Sequence, residues 1–318
     1  MQTENSQESN VSWIDQARER IRPRVVGFQR TYDQFTQSRL GVIGIFIIVS
    51  LILIAIFAPY LAPHSLEWQA FGENRTFEEL GQLPHPPAFG DPFFAPLGTD
   101  SDGSGILTQL IYGSRTALYI GLAAGALSSL VGIPAGIISG YYGDTAIDES
   151  IQRFIDVMYG LPFLPLVIVL VAINGVTTTN IILAIVVKSW LNNAIVIRGQ
   201  VLSLSERPFI EAAKASGASD LRIMFKHILP NVLPLGFIYL AQDAAFAILT
   251  QASLAFLGLS DFTNVSWGTM LQWIQVEGYI YTAPWWLIPP GLMIALVSAS
   301  FYFIGYSLED VMNPGGEQ

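Results

Sequence analysis

Two ionisable side chains, Lys188 and Asp243, lie deep within stretches otherwise apolar enough to cross a membrane. A charge at that depth costs about 2.5–3.5 kcal/mol on insertion scales, so each needs a partner or a use. At ~1.5 Å of rise per residue, Lys188 falls ~12 Å inward from the outer end of its stretch, and Asp243 ~18 Å outward from the inner end of its own. Across a hydrocarbon core of ~30 Å these depths coincide. The expectation is a structural pair within the membrane; a proton relay or a solute contact is the rival. Little else has the spacing of a catalytic site. His64, His85 and His227 are scattered and show no metal-ligand pattern. Cysteine is absent, which excludes a disulfide framework and a thiolate site. No G-x-x-x-x-G-K-[ST] phosphate loop occurs. The expected sets of catalytic residues, metal ligands and bound cofactors are therefore empty.

The elements that position those charges follow from composition. Of 318 residues, 52% are hydrophobic and 13% charged, where soluble domains carry about a quarter charged residues. The fold class is an all-α membrane protein with six transmembrane helices, one N-terminal span plus a five-helix core. The spans are Leu40–Ala58, Thr116–Ser139, Val157–Ile173, Ile181–Ile197, Val232–Leu249 and Trp285–Tyr306. The first starts too far in, and is too long, for a cleavable signal peptide. Arg and Lys cluster before the first span and again at Arg198, Arg207, Lys214, Arg222 and Lys226. With six spans these stretches share one side, so both termini are expected to be cytoplasmic.

The domain division is accordingly 1–38, a basic amphipathic cytoplasmic segment along the lipid surface; 39–58, the first span; 59–115, an extracytoplasmic loop; 116–306, the core, with a cytoplasmic loop at 198–230; and 307–318, a cytoplasmic tail. The 59–115 segment holds seven of the eighteen prolines. Aromatics between Trp267 and Trp286 suit an interfacial belt. A net charge of −10 argues against nucleic acid as a partner. It fits either a high-salt habitat or an ordinary acidic outer loop. No inverted repeat of the kind found in many secondary transporters is visible.

Overlapping the 198–230 loop, the segment Pro208–Pro234 is polar and helix-prone. Pro208 suits a first helical turn, Glu211 the positive helix N-terminus, and Gly217 a left-handed closing position. Ser219 is placed to cap a second short helix. In that helix Leu221, Met224, Phe225 and Ile228 form one apolar stripe, and Pro230 is expected to end it. Helices of about nine residues are marginal in water, so something must hold them. The second span carries Gly121, Gly125, Gly132, Gly136 and Gly140, in small-xxx-small spacing. They suit a pathway-lining or sliding helix, or static packing within the chain. Pro162, Pro165, Pro289 and Pro290 predict bends near the membrane faces.

The loop resembles the EAA loop of ABC importer permeases: Glu211-Ala212-Ala213, then Gly217, then Leu229-Pro230. "PLGTDSDGSGILTQLIYGSRTALYIG", "SGYYG", "RFIDVMYGLPFLPL", "VIRGQVLSL", "HILPN" and "QASLAFLGLS" are similar to the dipeptide/oligopeptide/nickel branch, on its second-permease side. Two positions depart from that pattern: Gly103-Ser104-Gly105 stands where Gly-Arg-Asp is usual, and Gln251 where glutamate is. The resemblance implies a permease for di- or oligopeptides that docks the loop on a cytoplasmic ATPase. It also implies a second homologous permease subunit, two ATP-binding cassette subunits using ATP and Mg, and an extracytoplasmic solute-binding protein. The alternatives are nickel chelates or sugars as solute, an ion-coupled secondary transporter, and a membrane-embedded enzyme.

Overall fold

The computed structural model describes residues 36–67, 84–90, 93–261 and 263–312. Of the expected amphipathic segment 1–38, only residues 36–38 are described, and of the tail 307–318 only 307–312. Helix α1 spans Arg39–Ile56, capped by the Ser38 hydroxyl, which accepts from the Gly41 N–H. A two-stranded antiparallel ribbon, Ala88–Gly90 with Phe93–Ala95, precedes α2, Ile106–Tyr141. Then come α3 (Ala146–Gly160), α4 (Phe163–Asn174), α5 (Thr178–Ser205) and α6 (Pro208–Ala215). A long α7 (Asp220–Phe256), a short α8 (Trp267–Val276) and α9 (Pro284–Met312) complete the order.

Five helices, α1, α2, α5, α7 and α9, are long and apolar enough to cross a membrane. The single helix expected over 157–173 is not formed. That stretch falls in the pair α3 and α4, bent by 90° at Leu161–Pro162, which makes a sixth crossing when the pair is counted as one broken span. Proline at 162 supplies no N–H and disfavours a helical conformation at the residue before it, so the helix ends at Gly160 and restarts beyond. By contrast, α9 runs through Pro289 and Pro290 as one helix.

The core is built along α2. Its 36 residues make a rod of ~54 Å, longer than the ~30 Å hydrocarbon layer. It starts at Ile106, ten residues inside what the sequence suggested was outer loop. The glycines set its neighbours. A Cβ at Gly121 or Gly125 would collide with Ile248 and with the Leu240 carbonyl of α7. One at Gly132, Gly136 or Gly140 would strike Asn193, the Ala194 carbonyl or Val201 of α5. All five therefore sit at close helix–helix approaches within this chain. Helix α1 lies outermost, with Gly44 pressed on the Ser300 carbonyl of α9 and Phe46 turned outward.

Helix α7 corrects the expectation at Pro230. The chain does not break there but continues from Asp220 into the span. A π-turn over Met224–Ile228, closed by the Leu229 N–H on the Met224 carbonyl, inserts an extra residue just before the proline. That wider turn takes up the ring which would otherwise crowd the preceding carbonyls. The segment after Gly217 is thus the projecting end of a span, and it needs no separate support.

Candidate functional site

Two regions gather the residues singled out above. The first is the face carrying α6. Proline at N1 starts the helix, and Glu211 lies in its first turn. The close is a Schellman motif: the Ala218 N–H reaches the Ala213 carbonyl, and the Gly217 N–H reaches Lys214. Gly217 has φ +77°, which a side chain would strain, while the space around it is open. Ser219 precedes α7, but its hydroxyl makes no capping bond.

Only one stripe of α6 is held. Ile210 is fully buried and Ala213 half-buried, three residues apart, against Val201, Leu204, Ile223 and Ile228. The other side leaves Phe209, Glu211 and Ala212 exposed. The stripe expected on the next helix is split by the π-turn. Met224 and Ile228 are buried with Ile223, while Leu221 and Phe225 are 65% and 67% exposed beside α6. Leu229 packs half-buried against the same cluster and Pro230 is exposed.

Side chains far apart in sequence tie this face to the spans. Asp220 accepts from the Tyr141 hydroxyl at 2.7 Å and from Tyr142 at 3.0 Å, and these phenols hold its carboxyl below the usual range. The Lys214 ammonium sits 5.1 Å over the Tyr141 ring. Deeper in, Arg198 of α5 grips Asp148 at the start of α3 with two bonds, of 2.7 and 2.6 Å. Asp148 also accepts from Ser139 of α2. Sequence reading found neither set of ties. The partners lie 50 and 79 residues apart, and the only local signal was an acidic residue in each first turn.

The second region is a cavity of about 410 Å³ among α3, α4, α5, α7 and α9. Lys188 and Asp243 both line it, with Asn192, Gln242, Tyr159 and Phe246. The expected direct pair is not formed. Lys188 donates to the Leu161 carbonyl, left free by the break before Pro162, and lies over the Tyr159 ring. Asp243 accepts from Asn193 at 2.7 Å. Equal depth along two helices fixes height but not direction around each axis, so coincident depth did not guarantee contact.

The opposite, ribbon-bearing face is closed by carboxylates. Asp100 is buried and accepts from the N–H groups of Asp102 and Ser104 and from Gln109; burial pushes its carboxyl up to about 6. Burial also raises Asp261, but bonds from Thr263 and Thr178 outweigh it and hold that carboxyl at about 2. Gln251 is buried and bonds Ser266, which caps α8 with Thr269.

A multi-pass helical bundle with an outward-turned helix on one face and a cavity lined by Lys188 and Asp243 is an architecture suited to a membrane transport protein. The chain belongs to the binding-protein-dependent transport system inner membrane component family, whose model matches residues 132–315. Residues 28–84 match the N-terminal transmembrane domain of oligopeptide transport permease C. Among its relatives is the dipeptide transport system permease protein DppC of Alkalihalophilus pseudofirmus, 37% identical over 90% of this chain and 90% of that protein. DppC of Bacillus subtilis is 32% identical over 92% and 87%. The oligopeptide transport system permease protein OppC of Haemophilus influenzae is 31% identical over 98% and 97%. The fold is that of a chain in the inward-facing MetNI methionine ABC transporter, with TM-score 0.52 and 18% identity over 64% of this chain and 96% of that one. The protein is therefore a multi-pass component of a transport complex.

Proposed function

We propose that this chain is a transmembrane permease subunit of an ATP-driven importer for di- and oligopeptides. The observation that carries the reading is α6: anchored through Ile210 to the ends of α5 and α7, it leaves Phe209, Glu211 and Ala212 open for a partner. Force applied there passes through the isoleucine cluster into the spans. Its sequence contains no phosphate loop, so hydrolysis of ATP with Mg falls to two ATP-binding cassette subunits, and this chain binds no cofactor. A second homologous permease completes the membrane unit, and an extracytoplasmic solute-binding protein delivers the solute. The names of the relatives support peptides as that solute. Both termini and α6 lie in the cytoplasm, on the side where Arg and Lys concentrate.

The test uses the absence of native cysteine. A Ser216→Cys thiol reacts with a membrane-impermeant maleimide in inside-out vesicles and not in right-side-out ones. Co-purification with the ATPase subunits is lost in Gly217→Val and in Glu211→Lys. Labelling from outside, or undiminished co-purification in both variants, overturns the reading.

A further inference from the structure

Lys188 and Asp243 share one cavity wall without touching. Each is tied instead to a neutral group, the Leu161 carbonyl for one and the Asn193 amide for the other. A structural ion pair recovers part of its insertion cost by contact; two opposite charges held apart recover less of it from each other, because the attraction falls with distance. Each keeps unused capacity. An ammonium has three donors and one is engaged, and Asp243 makes its bond through Oδ2 alone. Around them, Asn192 and Gln242 offer amide donors and acceptors, and Tyr159 and Phe246 offer apolar rings. The volume, about 410 Å³, falls in the ~300–1,000 Å³ range of small-molecule sites.

We infer that this cavity binds a zwitterion, with its ammonium on Asp243 and its carboxylate on Lys188. Cation and anion at separate points of one pocket match the two ends of a short unblocked peptide. The amides match the C=O and N–H of a peptide bond. The rings accept varied side chains without reading them. The inference rests on the peptide reading above and names what holds the peptide's ends inside the membrane.

The experiment places a single thiol on the cavity wall of this chain as Ser189→Cys, with Tyr302→Cys as an independent reporter. Maleimide labelling is followed in the assembled transporter without its solute-binding protein. An unblocked dipeptide at about ten times its Kd slows labelling about tenfold, the 1 + [L]/Kd factor, and N-acetylated or amidated dipeptides slow it less than about twofold. Adding Lys188→Met or Asp243→Asn removes protection by the unblocked peptide. Equal protection by blocked peptides, protection by a free amino acid alone, or two unreactive cysteines overturns the proposal. Uptake of a labelled dipeptide by the unaltered transporter separates the two levels. Uptake without protection sinks the cavity inference only; no uptake of any peptide sinks the peptide reading itself.

Discussion

At the scale of single residues, Asp100 carries a pH signature. Its carboxyl ionises near 6 in the fold, against an ordinary 3.8, because burial penalises the charge. Below 3.8 both folded and unfolded forms hold the proton. Between 3.8 and about 6 only the folded form does, so stability falls as pH rises through that window and levels off above it. The total is on the order of 3 kcal/mol, at ~1.4 kcal/mol per pH unit. Hydrogen exchange at the Asp102 and Ser104 amides should show protection factors falling from pH 4 to pH 7, and Asp100→Asn should flatten that dependence. Asp261 works in the opposite sense. Its depressed carboxyl adds stability above 3.8 that is lost only as pH falls toward 2. Gly217 supplies a second residue-scale prediction. Its φ of +77° has no steric neighbour, so Gly217→Ala costs only backbone strain, about 1–2 kcal/mol, and should weaken ATPase co-purification less than Gly217→Val.

At the scale of elements, the Arg198–Asp148 pair pins α5 to the start of α3, with the Asp148 side chain only 5% exposed. Removing Arg198 leaves the Asp148 carboxylate with only the Ser139 hydroxyl and the Asp144 N–H, so Arg198→Met should cost about 1.5–3 kcal/mol. The double variant with Asp148→Asn should recover much of that loss, as read from the thermal midpoint in detergent. The glycines of α2 act at the same scale. A Cβ at Gly136 would stand 2.6 Å from the Ala194 carbonyl, and backbone cannot step aside. Gly136→Leu should therefore destabilise by at least about 1–3 kcal/mol, whereas the same change at Gly199, where nothing lies within 4 Å, should be near neutral. These elements also show what a sequence discloses. Spans and their small-residue stripes are written locally, in composition and spacing, and so is the glycine that closes α6. The π-turn before Pro230 is not, because one inserted residue rotates Leu221 and Phe225 off the stripe predicted from a regular 3.6-residue period. Ties such as Tyr141 to Asp220 depend on which helices become neighbours, and no local pattern records that.

At the scale of the whole molecule, the proposed function requires that a push on eight residues reach a cavity between five helices. Ile210 is the narrow point. It is fully buried, and through Ile223, Ile228, Val201 and Leu204 it joins α6 to α7 and α5. Those two helices carry Asp243 and Lys188 on the cavity wall. On the proposed function, truncating Ile210 leaves the exposed residues Phe209, Glu211 and Ala212 in place for the ATPase but loosens the contact that would transmit their movement. A buried Ile→Ala change costs about 2–5 kcal/mol at its site, and Ile→Val about 0.5–1.5. In the reconstituted transporter, Ile210→Ala should keep ATPase subunits bound and hydrolysing while peptide uptake per ATP falls severalfold; Ile210→Val should fall between it and the unaltered chain. If uptake and hydrolysis decline together in both variants, force enters the bundle by another route, and the exposed apolar side chains Leu221 and Phe225 at the projecting end of α7 become the next place to cut.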